Sequence, residues 1–412
     1  MFTPLLRPFP GLRPAPGRAA EVAAPPYDVV SEAEARQKVT GRPWSFLHIS
    51  RAEVDLPPGT DPYAPEVYAK ALENWRRMRA EGVLIQDPAP RYYVYRLTMG
   101  NHHQTGLVAA ASVAAYDSGR IKRHELTRPV KEDDRVRQID TLNAQTGPVF
   151  LVYPGQADID RVLREATQAV PSIDITAEGG VRHELWVVEA VETQAFLTAA
   201  FDRLPALYVA DGHHRSAAAS RVAAARRASH PDEQVAHAYF LAVVFPHDQM
   251  KILPYNRVVR DLNGLEAAAF LARVGENFAL TPTDQPVEPG HPGEFGLYLD
   301  HAWYRLSLDP SRIPHDPVAR LDVSLLADQL LGPILGIRDA RRDERIDFVG
   351  GIRGLAGLVG RVDGGDMRAA FSLFPTGIAD LMAVADQGEI MPPKSTWFEP
   401  KLADGLISHL LD

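Results

Sequence analysis

A short apolar run that ends in glycine and gives way to an alanine-rich segment leaves a chain few options. Residues 207–227, LYVADGHHRSAAASRVAAARR, have that form. Leu207, Tyr208, Val209 and Ala210 read as a strand, and the residues after Ser216 are strong helix formers. Between them stand Asp211, Gly212, His213, His214 and Arg215. Glycine at a strand-to-helix junction lets the backbone turn tightly and approach a ligand closely. The helix that follows offers unpaired N–H groups at the positive end of its dipole, and together these features accept anions. Two imidazoles and a guanidinium on the same turn suit a guest with several negative charges, such as a nucleotide phosphate. The plainer alternative is a helix capped by Asp211 with both histidines in solvent, and His-His-Arg is an uncommon way to build a cap.

Composition sets the limits. A chain of 412 residues that is 45% hydrophobic can bury a large core in two or three structural units. A net charge of −9 argues against broad attraction to nucleic acid, so the expected partner is a small molecule. The absence of cysteine removes disulfides, thiolate nucleophiles and cysteine-bound zinc. Residues 1–18 hold too many prolines and arginines for a signal peptide, and no run reaches the roughly 18 apolar residues of a membrane span. The expected address is the cytoplasm, with no membrane partner.

Several further segments are candidates for a site. Pro25 and Pro26 stiffen the backbone around Tyr27 and Asp28, and Ser31 reads as the N-cap of a helix over 32–39. A helix is expected over 65–83, then a hairpin from strands 91–98 and 105–116 with His102 and His103 at its tip. His124 and Glu125 precede a charged helix carrying Lys131, Asp133, Asp134, Arg135 and Arg137. On such a helix, Asp133 with Arg137 is the natural i,i+4 pair. A loop before a helix can aim a carboxylate at a substrate, which sets Glu125 apart from the charges that follow it. Strands are expected over 148–153, 184–190 and 236–246, and helices over 157–169 and 193–204. The strand before Asp211, the hairpin and strand 148–153 should share one mixed sheet with the DGHHR turn at its edge.

Beyond residue 250, Asn256 and Arg257 follow Pro254, a helix is expected over 265–274, and the Pro- and Gly-rich stretch 282–294 reads as a linker or loop. Strands over 296–299 and 303–308 and a helix over 317–331 follow, then a Gly-rich stretch near 350–360. The closing segment MPPKSTWFEPK offers Lys394, Ser395, Thr396 and Lys401 as phosphate donors, or else pins the surface with Trp397 and Phe398. The expected division is an N-terminal α+β region over 1–120, a nucleotide-binding core over 121–262 and a C-terminal α+β region over 263–412.

APPYDVVS, the HELT-to-DDR segment, DGHHRSAAA, LPYNRVV and MPPKSTWFEPK together resemble, nearly end to end, the bacterial domain-of-unknown-function family 1015 of the ParB/sulfiredoxin-like superfamily. The chain is also similar to the free-serine kinases of archaea, which share a His-Glu pair and an Asp-Gly-His-His-Arg turn. The resemblance implies an α+β fold with a mixed-sheet, ParB/sulfiredoxin-like core elaborated at both ends. It implies a kinase that moves phosphate from ATP or ADP to a hydroxyl metabolite such as free serine. Glu125 matches the general base, with His124 beside it. Asp211 with Gly212, His213, His214, Arg215 and Ser216 matches the substrate and phosphate contacts, and Asp211 would bind Mg2+ or orient the acceptor. Tyr27, Asp28, Lys131, Arg135, Asn256, Arg257, Lys394, Ser395, Thr396 and Lys401 are the further contacts to examine. The chain is longer than the compact kinases, and the segment between Glu125 and Asp211 is its own. A non-catalytic, ParB-like nucleotide-binding or DNA-associated regulator is the alternative. A metal hydrolase using His213 and His214 is the third reading, disfavoured because adjacent histidines on a turn point in different directions.

Overall fold

The structure, a computed structural model, describes residues 3–227 and 235–412. The chain divides into two compact units, the first running to residue 250 and including 400–412, the second spanning 251–399. Among the described residues no helix is long and apolar enough to cross a membrane.

The first unit is an α+β structure on a nine-stranded mixed sheet. Its middle strand is the apolar run Tyr239–Pro246, buried along its whole length, as a strand covered on both faces must be. That strand pairs in parallel with Val149–Tyr153 and antiparallel with His102–Ser112. Beyond His102–Ser112 come Tyr92–Met99, Arg182–Val188 and Ile173–Thr176, with Leu6–Arg7 also pairing along His102–Ser112. On the other side, Leu207–Asp211 runs antiparallel to Val149–Tyr153 and parallel to the two-residue edge strand Ile121–Lys122. The hairpin, the 149–153 strand and the strand before the turn therefore share one sheet, and the turn lies one strand from its edge. The sheet also crosses residue 120, so no break falls at the boundary expected there. The register slips between Val209 and Asp211, an irregularity that re-aims the strand end at the point where the turn begins.

Local signals account for several elements. Ser31 and Glu34 form a reciprocal capping box at the helix Glu32–Val39, and Pro65 opens the helix Pro65–Ala80. The hairpin corrects one expectation. Met99 pairs with His102, so the tip is Gly100 and Asn101, and both histidines belong to the second strand. Gly100, at φ 58°, supplies the left-handed conformation that a tight hairpin turn requires. The charged helix is Pro129–Leu142, and its Asp133 pairs with Arg221 at 2.8 Å while Arg137 donates to the Tyr63 carbonyl. A partner on the His213–Arg227 helix thus replaces the expected i,i+4 pair, and the charged face is a seam between two helices. Under it, Ile139 packs with Ala218, Val222 and Leu411.

The second unit is built on a six-stranded antiparallel sheet in the order Ala279–Thr283, Ala302–Ser307, Glu294–Leu299, Ala369–Leu373, Tyr255–Val259 and Ile346–Gly350. The stretch 282–294 connects two strands of this sheet, so of the two forms expected it is the loop. The expected boundary at 262 is replaced by the passage from Met250 to Lys251. The helix expected over 317–331 is Asp322–Leu326 running into a wider turn, Ala327–Leu331, and the Gly-rich stretch holds the helix Gly354–Asp363. Lys251–Leu253 pairs antiparallel with Trp397–Glu399, so the unit opens and closes on hydrogen-bonded neighbours. Residues 400–412 then return to the first unit, where Asp404 bridges Ala24, Ser408 bridges Leu12 and His409–Leu410 pairs with Ala144–Gln145.

Candidate functional site

The turn depends on Gly212 in two ways. Its φ of 98° strains any residue with a Cβ, and a Cβ there would lie 3.1 Å from Nε of Arg215. Arg215 runs inward beneath the turn. It donates to the Pro148 carbonyl, lies 3.5 Å from Asp211 and passes Gly147 where a Cβ would stand 3.2 Å from its chain. Burial works to lower its pKa, but Asp211, Asp28 and Asp404 overrule it and the group stays charged. Ser216 is 0% exposed and donates to the His213 carbonyl at 3.0 Å. It braces the first helical turn, a placement unlike the phosphate contact expected of it.

The two histidines of the turn diverge. Nε2 of His214 accepts the Arg128 backbone N–H at 3.1 Å, whereas His213 faces His124 edge to face with ring centroids 4.5 Å apart. Nδ1 of His213 is 3.8 Å from the half-buried Glu125 carboxylate. Both His124 and His213 are buried, at 2% and 4% exposure. Burial pushes His124 down to about 4, against the Val209 backbone and Asp211, which favour its charged form. Burial, helped by His124, holds His213 well below the ordinary histidine range. Both rings are therefore neutral near pH 7. Neither nitrogen of His124 meets hydrogen-bond geometry, and Nε2 of His213 has no partner.

On the other side of the turn, Asp211 lies 3.5 Å from Lys401 and from Arg215. Burial opposes its ionisation, yet Lys401, Arg215 and His213 hold the carboxyl well below the usual carboxylate range. Next to this group, Arg135 stacks over the Tyr27 ring at 3.8 Å and grips Asp134 with two hydrogen bonds, and Tyr68 donates to the same carboxylate. Burial pushes the Tyr27 hydroxyl up to about 12. Asp28 is exposed, and its charge reaches Tyr27, Arg215 and Asp404. Lys131 lies over the Tyr63 ring at 5.3 Å.

The remaining candidates fall in the second unit. Asn256 accepts the Leu373 N–H at 3.0 Å, and Arg257 donates to the carbonyls of Tyr255, Pro393 and Lys394. Burial lowers the Arg257 guanidinium to about 9. Ser395 donates to the Pro392 carbonyl at 2.7 Å, and the Ser395 carbonyl accepts from Thr376. These groups brace their own loop, because buried backbone carbonyls in a proline-rich segment need side-chain donors. Lys394 is exposed over the Tyr255 ring, and Thr396 is half-buried. Sequence reasoning missed Asp404, whose only mark was being the one acid in the largely apolar stretch 402–411, LADGLISHLL.

Residues 6–324 match a family model described as "Protein of unknown function (DUF1015)". The chain belongs to this family. No curated protein matches this DUF1015 chain. Among solved structures it is similar to a free serine kinase in complex with AMP, at 12% identity and a TM-score of 0.35, covering 73% of this chain and 92% of that one. A conserved hypothetical protein from Pyrococcus furiosus gives 13%, 0.35, 74% and 95% in the same order. C-terminally truncated SbnI from Staphylococcus aureus gives 12%, 0.37, 72% and 85%. None of these likenesses bears on what this chain binds or does.

Magnesium takes about six oxygens in near-octahedral geometry and prefers carboxylates and phosphates. In this DUF1015 chain the Asp211 carboxylate is already matched by two cations, and the groups that converge most closely bring two imidazoles and a single carboxylate. The donors do not fit a magnesium site of the protein's own.

Proposed function

We propose that this DUF1015 protein is a nucleotide-dependent phosphotransferase that acts on the hydroxyl of a small metabolite, with ATP or ADP as donor and free serine as the first acceptor to test. One observation carries the reading: the Glu125 carboxylate stands 3.8 Å from His213, the residue that follows Gly212 in the turn. A base and an anion-accepting turn thus share one place. Phosphoryl transfer asks a protein mainly to position its reactants and stabilise charge. The acceptor oxygen forms a bond to the terminal phosphorus, the bond from that phosphorus to the nucleotide oxygen breaks, and the hydroxyl proton passes to Glu125. The neutral His124 and His213 add no positive charge beside that carboxylate. The turn's N–H groups, His214 and Lys401 supply the donors for the nucleotide phosphates, and Asp211 positions Lys401.

The test is incubation of the full chain with labelled ATP or ADP, magnesium and a panel of hydroxyl metabolites that includes serine. Glu125→Gln keeps the shape and loses the proton-accepting charge. Its turnover should fall by roughly 10²-fold or more with nucleotide affinity nearly unchanged. Nucleotide binding without transfer to any acceptor leaves the non-catalytic regulator in its place. Wild-type turnover in Glu125→Gln removes the base.

A further inference from the structure

We infer that His124, Glu125 and His213 form a binding site for a first-row transition-metal dication of the zinc class. The nitrogen and oxygen donors of these three residues all lie within 4.8 Å of one another. Zinc at its usual bond lengths of about 2.0–2.2 Å draws tetrahedral ligands to roughly 3.3–3.6 Å apart, so small side-chain rotations of about 1 Å close the set. Glu125 is half-buried on a loop before the Pro129–Leu142 helix, outside any regular element that would fix its backbone.

The second observation is the state of the rings. Both histidines are more than nine-tenths buried, and three of their four ring nitrogens make no hydrogen bond of ordinary geometry. An unpartnered buried polar group is costly, and a metal ion satisfies it. The fourth nitrogen, Nδ1 of His213, is the one that faces Glu125. A ligating histidine commonly turns its other nitrogen to a backbone carbonyl or a carboxylate, and the Val209 backbone and Asp211 both lie beside His124. Two imidazoles with one carboxylate select zinc, cobalt or nickel over magnesium.

The site goes beyond the phosphotransfer reading and touches it at one atom group. A metal held by the Glu125 carboxylate occupies the lone pairs that the base needs, so metal and acceptor hydroxyl compete.

The experiment uses the full chain after chelator treatment. Cobalt(II) is titrated in and followed by its visible absorption, which reports ligation independently of activity. The expected result is saturation at one equivalent, displacement by zinc, and no displacement by millimolar magnesium. Because His124→Asn removes a buried group and can prevent folding, the decisive variant is Glu125→Gln, checked by circular dichroism. It should weaken cobalt binding by at least tenfold. A double variant at the surface residues His102 and His103 should leave binding unchanged. No saturable band, full displacement by magnesium, unchanged binding in Glu125→Gln, or loss of binding in the surface variant overturns the site. Phosphotransfer assayed on the same preparation with magnesium alone separates the two readings. Cobalt binding without transfer keeps the metal site and removes the kinase, and transfer without cobalt binding does the reverse.

Discussion

Replacing Asp404 with asparagine should make the first unit more stable at pH 8 and nearly neutral in effect at low pH. Asp404 is 3% exposed, and burial pushes its carboxyl up to about 7 although Arg215, Arg135 and the Tyr27 N–H favour the ionised form. An unfolded aspartate titrates near 3.9, so the folded chain holds this proton about 3 units longer, a ceiling of about 4 kcal/mol. The sign follows from proton binding. Between about pH 4 and 7 the folded state binds more protons than the unfolded one, so stability falls as pH rises through that window. Below it both states are protonated and nothing is lost, and above it the loss is complete. Between pH 5 and 8 the wild type should lose about 2.5 kcal/mol that the asparagine variant, with no proton to release, retains. Asparagine keeps a carbonyl to accept the Tyr27 N–H, so the substitution leaves no donor unpaired. Native-state hydrogen exchange of amides in Tyr239–Pro246 reads the opening free energy of this unit without requiring both units to unfold together. A wild-type minus variant difference that is the same at both pH values, within about 0.5 kcal/mol, refutes the reasoning.

Two further outcomes follow. Gly212→Ala should cost about 1–3 kcal/mol and weaken nucleotide binding, because the backbone at φ 98° is strained for alanine and the new methyl displaces Arg215. Urea unfolding and calorimetry check it, and wild-type values for both would show that the turn tolerates a side chain. In the second unit, burial raises Asp322 to about 7 and leaves its Oδ2 unpartnered. Its proton too is held more tightly in the folded state, so Asp322→Asn should stabilise that unit at pH 8 and have little effect near pH 4. Equal effects at both pH values, measured by exchange in Ala369–Leu373, would contradict this.

What could be read in advance was local chemistry. The strand, glycine and alanine-rich helix at 207–227 follow from short-range propensity, and so does the cap at Ser31. Direction was harder to read. Arg215 has the right charge for a phosphate, yet the Pro148 carbonyl and the space beside Gly147 draw it inward, and nothing near Arg215 in sequence announces either. Asn256 and Arg257 stood out for being polar after a proline, and that same polarity satisfies backbone groups of their own unit. The pairing of His124 with His213 required knowing that Ile121–Lys122 lies parallel to Leu207–Asp211, a register that no local pattern encodes. The boundaries at 120 and 262 failed for a related reason. A chain that leaves a unit and later re-enters it does so at ordinary strands, without a compositional break.

The return of residues 400–412 to the first unit has a consequence for synthesis on the ribosome. A nascent chain complete to residue 250 already carries every strand of the nine-stranded sheet, the DGHHR turn and Glu125. It lacks Lys401, which lies 3.5 Å from Asp211, and Asp404, which bridges Ala24. Throughout translation of 251–399 the Ala144–Gln145 strand waits for His409–Leu410, and the Ile139, Ala218 and Val222 cluster waits for Leu411. Domains emerge and fold at roughly 5–20 residues per second, so this interval lasts on the order of ten seconds or more. A product cut short anywhere in the second unit would keep the sheet and lose Lys401, so early folding of the scaffold and late completion of its charge are separate events in the life of each molecule.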